Sequence, residues 1–303
     1  VDLTERGFSP NAKPHDIAVG PDGDSWYVSL IGANRVLKMD RYNEIIGRAT
    51  FEAPGLMELD PQSGRLFVGR SMGAVNPPKS IGILDADDPD GANLRILDVF
   101  FPRPHALGID PSGQQVYVAS LAQNQVAALN AESGQMELTS MSGPVNTLVH
   151  FAVSPDGRTL AAGGQVSGTL FFFDVDSENP LTPTVTDSVQ LGGQPWHPIY
   201  TPDGSRLYVP QKTADAVTVL DAQTHEVVTT IRHEALAQPH GSTVSADGRY
   251  VYVTASNTDG TYTPPYADAV AGENRGAVVV IDTHSNEVID VIPADQDPSG
   301  LDL

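Results

Sequence analysis

A short apolar strand running into a Pro-Asp-Gly-like turn occurs six times along this chain, and that repeat decides the fold class before any single residue is weighed. The copies are Ile17-Ala18-Val19-Gly20-Pro21-Asp22-Gly23, Leu59-Asp60-Pro61-Gln62-Ser63-Gly64, Gly108-Ile109-Asp110-Pro111-Ser112-Gly113, Ala152-Val153-Ser154-Pro155-Asp156-Gly157, Tyr200-Thr201-Pro202-Asp203-Gly204 and Val244-Ser245-Ala246-Asp247-Gly248. Proline pre-sets φ at the first corner, Asp suits the second, and Gly accepts the positive φ that closes the turn. A β-rich strand follows each turn, as in Trp26-Tyr27-Val28 and Leu207-Tyr208-Val209. A third strand then ends on an acid or its amide at Asp40, Asp85, Asn130, Asp174, Asp221 and Asp282, spaced by 45, 45, 44, 47 and 61 residues. A fourth follows a polar turn, as in Glu226-Val227-Val228-Thr229-Thr230-Ile231. Four strands per repeat, without helical periodicity, predict an all-β fold: a β-propeller of four-stranded blades.

The spacing sets blades at 14–52, 53–101, 102–142, 143–191, 192–236 and 237–293 of one propeller domain. Asp297-Pro298-Ser299-Gly300-Leu301-Asp302-Leu303 reads as the inner strand of a further blade, and Val1 to Phe8 as an outermost strand. We therefore expect seven blades, the last closed by 294–303 together with 1–13, with a six-bladed propeller as the alternative. The two missing middle strands imply roughly 25 to 35 further residues upstream.

Thirty-eight acidic against 17 basic residues give a formal charge of −21. Such a surface repels nucleic-acid phosphates and anionic lipid heads, so neither is expected as a partner. No apolar run reaches the eighteen or so residues of a membrane helix, so no membrane insertion is expected. The scarcity of lysine (Lys13, Lys38, Lys79 and Lys212) fits an exported, periplasmic or extracellular protein, or a salt-adapted one. The absence of cysteine removes disulfides, thiolate metal sites and Cys nucleophiles.

Histidine is placed non-randomly. His15, His105 and His240 each lie six residues before a turn start, and His150 and His197 lie five before theirs. Five of eight histidines thus occupy two registers of the repeat, where random scatter would place roughly 0.3. Residues just before each inner strand converge at one mouth of a propeller's channel. The functional reading is a histidine-lined pocket holding a transition metal, copper or zinc in the absence of thiolates. The structural reading is that each imidazole donates to a neighbouring blade's carbonyl and pins the strand. The two registers also point to opposite faces, because successive strand side chains alternate.

Two loops on the same side exceed the regular spacing, 71–79 and 257–276, and read as a cover over that mouth. Arg70, Arg103, Asn146 and Trp196 lie near it, with Tyr262 and Tyr266 in the longer loop. Arginine suits an anionic ligand and Trp196 a stacked one. Asp16 and Glu58 are the acids best placed by register for metal or base work. No phosphate loop, Gly-x-Ser-x-Gly elbow or His-Glu-x-x-His helix is present.

Ser154-Pro155-Asp156-Gly157, Leu207-Tyr208-Val209-Pro210 and Val279-Val280-Ile281-Asp282-Thr283 resemble the YVTN-type, WD40-like propeller repeat, from Pro14 to about Pro293. That resemblance implies the fold and little about activity. Lactonase-like propellers, and those of nitrous oxide reductase and cytochrome d1, are its more distant relatives; the last two place histidines at such positions for copper or heme. This chain lacks a Cys-x-x-Cys-His heme attachment motif and any cupredoxin or cytochrome c companion. The expectation is an exported binding propeller for a metal ion or small ligand. The alternatives are an enzyme using the same pocket, either a lactonase-like hydrolase or a copper oxidoreductase, and a scaffold that docks another protein on the covered side.

Overall fold

A computed structural model of the chain describes residues 1–176, 178–264 and 274–303. It forms a β-propeller whose described residues make six four-stranded antiparallel blades. Blade 1 comprises β1 (Pro14–Val19), β2 (Ser25–Leu30), β3 (Arg35–Asp40) and β4 (Ile45–Thr50). Blade 2 comprises β5 (Pro54–Leu59), β6 (Arg65–Arg70), β7 (Ser80–Asp85) and β8 (Arg95–Asp98). Blade 3 comprises β9 (Pro104–Ile109), β10 (Gln115–Ser120), β11 (Gln125–Asn130) and β12 (Met136–Ser140). Blade 4 follows with β13 (Leu148–Val153), β14 (Thr159–Gly164), β15 (Thr169–Asp174) and β16 (Thr184–Gln190). Blade 5 has β17 (Ile199–Tyr200), β18 (Arg206–Gln211), β19 (Ala216–Asp221) and β20 (Val227–Arg232). Blade 6 has β21 (Pro239–Val244), β22 (Tyr250–Ala255), β23 (Ala277–Asp282) and β24 (Glu287–Pro293). Two compact units result, Val1–Leu148 with Asp176–Pro183, and Val149–Val175 with Thr184–Leu303.

In blades 1, 5 and 6 the acid that ends the third strand has a physical task. Asp40 Oδ1 accepts from the amides of Tyr42 and Glu44, Asp221 Oδ1 from Gln223 and Thr224, and Asp282 Oδ1 from His284 and Ser285. A carboxylate that caps the turn amides replaces the ladder where the strand stops. These bonds to the charged form hold Asp221 and Asp282 below the usual carboxylate range.

Strands two and three of the blades are mostly buried, and within each unit neighbouring blades pack face to face. In the first unit Tyr27, Val36, Phe51, Met57 and Val68 join blades 1 and 2, and Leu56, Phe67, Phe101, Leu107 and Val118 join blades 2 and 3. In the second unit Ala161, Phe172, Tyr200 and Val209 join blades 4 and 5, while Tyr208, Val219, Leu236, Val253 and Val279 join blades 5 and 6. The outermost strands alternate or are largely exposed, β16 being the extreme case.

The seventh blade expected from the sequence is not formed: residues 1–13 contain turns and 294–303 no strand. Asp297, with φ 48°, repeats the backbone that begins other blades. Ser299 then lies against the sixth blade, its carbonyl accepting from Thr254 Oγ1 at 3.1 Å. An inner strand without a second strand to pair with has no ladder, so the segment stays irregular. The N-terminal residues Leu3, Phe8 and Ala12 instead pack on Val28, Leu37 and Met39 of blade 1.

Adjacent inner strands are joined by side chains as well as packing. Asp16, buried on β1, accepts from the Met57 amide of β5 at 2.7 Å. Asp16→Ala leaves that buried amide without its acceptor. It is expected to cost about 1–3 kcal/mol, read as a lower urea midpoint at unchanged slope.

Candidate functional site

The start of each inner strand is built on a residue with left-handed φ. Lys13, Ala53, Arg103, Thr147, Gln194 and Gln238 have φ between 48° and 58°, and in five of the six the next residue is proline. A non-glycine residue in this region is disfavoured and persists only where its surroundings fix it. The irregularity continues into the ladder. Register shifts fall between Pro14 and Ile17, Pro54 and Met57, and Pro239 and Ser242, and at Ala119/Ser120 opposite Pro104–Ala106. His15, His105 and His240 therefore sit inside β-bulges, which turn a side chain away from the regular alternation. In blade 5 the same end is interrupted because Pro198 supplies no N–H, so only a bridge from Pro195 to Gln211 precedes β17.

In the first unit, the rings of His15 and His105 meet edge to face with centroids 6.1 Å apart. His105 is buried, and its Nδ1 lies 2.8 Å from the carbonyl oxygen of Arg70. A carbonyl only accepts, so Nδ1 carries the proton and the lone pair of the neutral ring is on Nε2. Arg70 is also buried. Its Nε donates to the Ser80 carbonyl at 2.8 Å, one terminal nitrogen to Ser80 Oγ at 2.8 Å, and the other to the Glu52 carbonyl. The guanidinium lies 3.9 Å from the Phe51 ring centre, and burial pulls its pKa down to about 10. Every arm of Arg70 is thus committed to protein acceptors. Arg103 is committed in part, donating to the Met72 carbonyl of loop 71–79. Asn146 is bound to Asn124, and the Asp16 carboxylate is on the Met57 amide. Glu58 stands half-buried on β5.

The second unit holds the larger aromatic cluster. His150 stacks on His197 with centroids 4.4 Å apart, and His197 lies 5.0 Å from His240. Trp196 covers His240 at 4.1 Å and approaches His197 at 5.9 Å. The two registers that the alternation rule sends to opposite faces thus meet here, because the bulge at His240 and the broken ladder at His197 cancel the alternation. The backbone is tied in as well: the His240 carbonyl accepts from the His197 amide at 3.5 Å, and the His197 carbonyl from Ser242 Oγ at 2.6 Å. Gly163 permits the approach of the Pro195 and Trp196 carbonyls, which a Cβ there would strike.

Lys212 completes this cluster and was not singled out from the sequence. Its ammonium lies over the Trp196 ring at 4.9 Å, and burial holds its pKa below the ordinary lysine value despite Asp297. Its position just after β18, in a loop between second and third strands, was the available signal. The indole N–H of Trp196 is buried without a hydrogen-bond partner among the described residues. Tyr262 is a core residue packed with Leu236, Ala237 and Val253, its backbone clasped by Asn257. Tyr266 lies outside the described residues. Among the described residues no group of three or more His, Asp or Glu side chains is arranged to hold a metal ion, and no helix is long and apolar enough to cross a membrane.

The family profile of the Cytochrome D1 heme domain matches residues 86–301, more than two thirds of the sequence. The chain belongs to that family. No curated protein matches it. Among solved structures this family member is similar to hydrazine synthase of Kuenenia stuttgartiensis, at 18% identity and TM-score 0.76, covering 96% of this chain and 90% of that one. It is also similar to virginiamycin B lyase from Staphylococcus aureus, crystallised in inactive form with quinupristin, at 12% identity and TM-score 0.73, covering 97% and 89%. A streptogramin B lyase matches at 14% identity and TM-score 0.73, covering 96% and 87%. At these identities the likeness is one of fold.

Arg70→Lys tests the first unit's geometry. Lysine lacks the planar fork and strands at least one of the acceptors now served. The expected loss is about 2–4 kcal/mol, measured by urea denaturation.

Proposed function

We propose that this propeller binds an iron tetrapyrrole at the cluster of His150, His197, His240 and Trp196. The observation that carries the reading is the cluster of three imidazoles in ring contact, two of them also against one indole, at the inner-strand starts of blades 4 to 6, in a member of the Cytochrome D1 heme domain family.

The donor set suits the group. Imidazole nitrogen is a ligand for heme iron, which needs only one or two protein donors, and His150, His197 or His240 would supply them. Trp196 offers a broad apolar face, and Lys212 beside it a cation for peripheral carboxylates. Bound there, the iron would supply electron transfer or small-ligand coordination. The chain's own part is positioning. Ser242 and the His240 carbonyl hold the backbone of His197 from both sides. Gly163 lets Trp196 sit close to blade 4. The buried indole N–H is a donor available to a polar ligand edge. A bare copper or zinc ion suits the arrangement less, since such ions take three or four protein donors at once and the described residues form no such group. An acidic, lysine-poor surface supports placing the protein in an exported compartment.

Titration of the purified protein with hemin, followed by its Soret absorbance, tests this. Saturation near one equivalent is expected, with a position and intensity that change when His197 and His240 are both replaced by Ala. Copper and zinc retention, measured by elemental analysis in parallel, reports the competing ligand. Failure of the wild type to saturate, or an unchanged spectrum in the double variant, would remove the reading.

A further inference from the structure

A second region of the same unit, at the turn end of the strands, carries chemistry independent of the histidine cluster. A cleft of about 430 Å³ opens between blades 4 and 5 beside the turns that follow β13 and β17. Three carboxylates line it, Asp156, Asp174 and Asp203, against the single guanidinium of Arg158. His225, also on its wall, is engaged elsewhere: Nδ1 lies 2.7 Å from Asp187 Oδ2 and the ring stacks on Phe172 at 3.6 Å. It does not offset the three acids.

The decisive residue is Tyr200. The equivalent inner-strand position is Val19, Leu59, Ile109, Val153 and Val244 in the other blades, so this register otherwise takes an aliphatic side chain. Tyr200 is only 5% exposed, yet it lines the cleft, and its buried hydroxyl has no hydrogen-bond partner among the described residues. The hydroxyl of Tyr208, by contrast, is bonded to Asn286 Oδ1 at 2.7 Å. Burial and the charge of Asp156 push the Tyr200 pKa up, so the group stays a phenol. A buried polar group left unpaired is costly and calls for an explanation.

We propose that this cleft binds a small organic ammonium ion, with Tyr200 Oη and the carboxylates of Asp156, Asp174 and Asp203 as its acceptors. An ammonium presents three N–H donors and no acceptor, which matches a phenol oxygen among carboxylates. Asp156 already accepts from Ser154 Oγ and the Arg158 amide, and Asp203 from Thr201 Oγ1 and Ser205. Those bonds aim the carboxylates and leave part of their roughly four lone-pair sites each for a ligand. The cleft is far larger than a bare cation needs, and its carboxylates do not form a metal-holding group.

Putrescine serves as the probe, titrated calorimetrically at on the order of 0.15 M salt to screen the general negative surface. The wild type is expected to show saturable binding at one site. Tyr200→Phe keeps the net charge and should weaken it about tenfold; Asp174→Asn, at an exposed strand end, should weaken it severalfold. Non-saturable uptake by the wild type, or wild-type affinity in Tyr200→Phe, would mean a counterion effect only and would overturn the proposal. If Tyr200→Phe does not fold, unchanged affinity in Asp174→Asn overturns it equally. Hemin uptake is expected to be unaffected by either variant, which separates this result from the histidine reading.

Discussion

The left-handed residue ahead of each inner strand is the constraint on which the rest of the structure depends. It turns the chain sharply into the blade, and the bulge behind it shifts the next residues off the regular ladder. Backbone in this conformation is unfavourable alone and must be held. Here the neighbouring blade holds it, through Asp16 on the Met57 amide, Arg70's carbonyl on His105, and Ser242 on the carbonyl of His197. Packing of blade on blade and the placement of imidazoles are therefore one arrangement: what fixes the strand start also aims the ring.

The same bonds explain why a histidine can be structural and chemical at once. His105 donates from Nδ1 to a neighbouring blade, and that commitment determines which nitrogen keeps the lone pair. Arg70, which by type alone could receive an anion, is instead enclosed by Ser80, Glu52 and Phe51. A buried charge with all three of its nitrogens engaged is architecture.

The propeller was legible in the sequence because its turns use residues whose conformational demands are local: Pro, Asp, Gly, and an acid that caps the next turn. The number of blades was not, since Asp297-Pro298 repeats the backbone of a blade start without the strands that would make it one. The five histidines were legible through their register, and Trp196 beside them through its neighbours in sequence. Their partition into a pair in one unit and a cluster of three in the other was hidden, because simple alternation forbids the contact of His197 with His240 that a bulge and Pro198 permit. Lys212 escaped because a cation over an indole leaves no spacing pattern, and Tyr200 because a hydroxyl without a partner is visible only once its surroundings are known.

Blade 2 reveals what the shared backbone leaves to each blade. Its strand begins Pro54-Gly55 where blades 1, 3 and 6 have Pro-His, with the bulge retained. A side chain at Gly55 would collide with the main chain of Arg70 and Ser71, so this socket is closed to any ring. Duplicated blades thus share a mould, while the close approach of one neighbouring strand determines which copies can be given chemistry and which must stay blank.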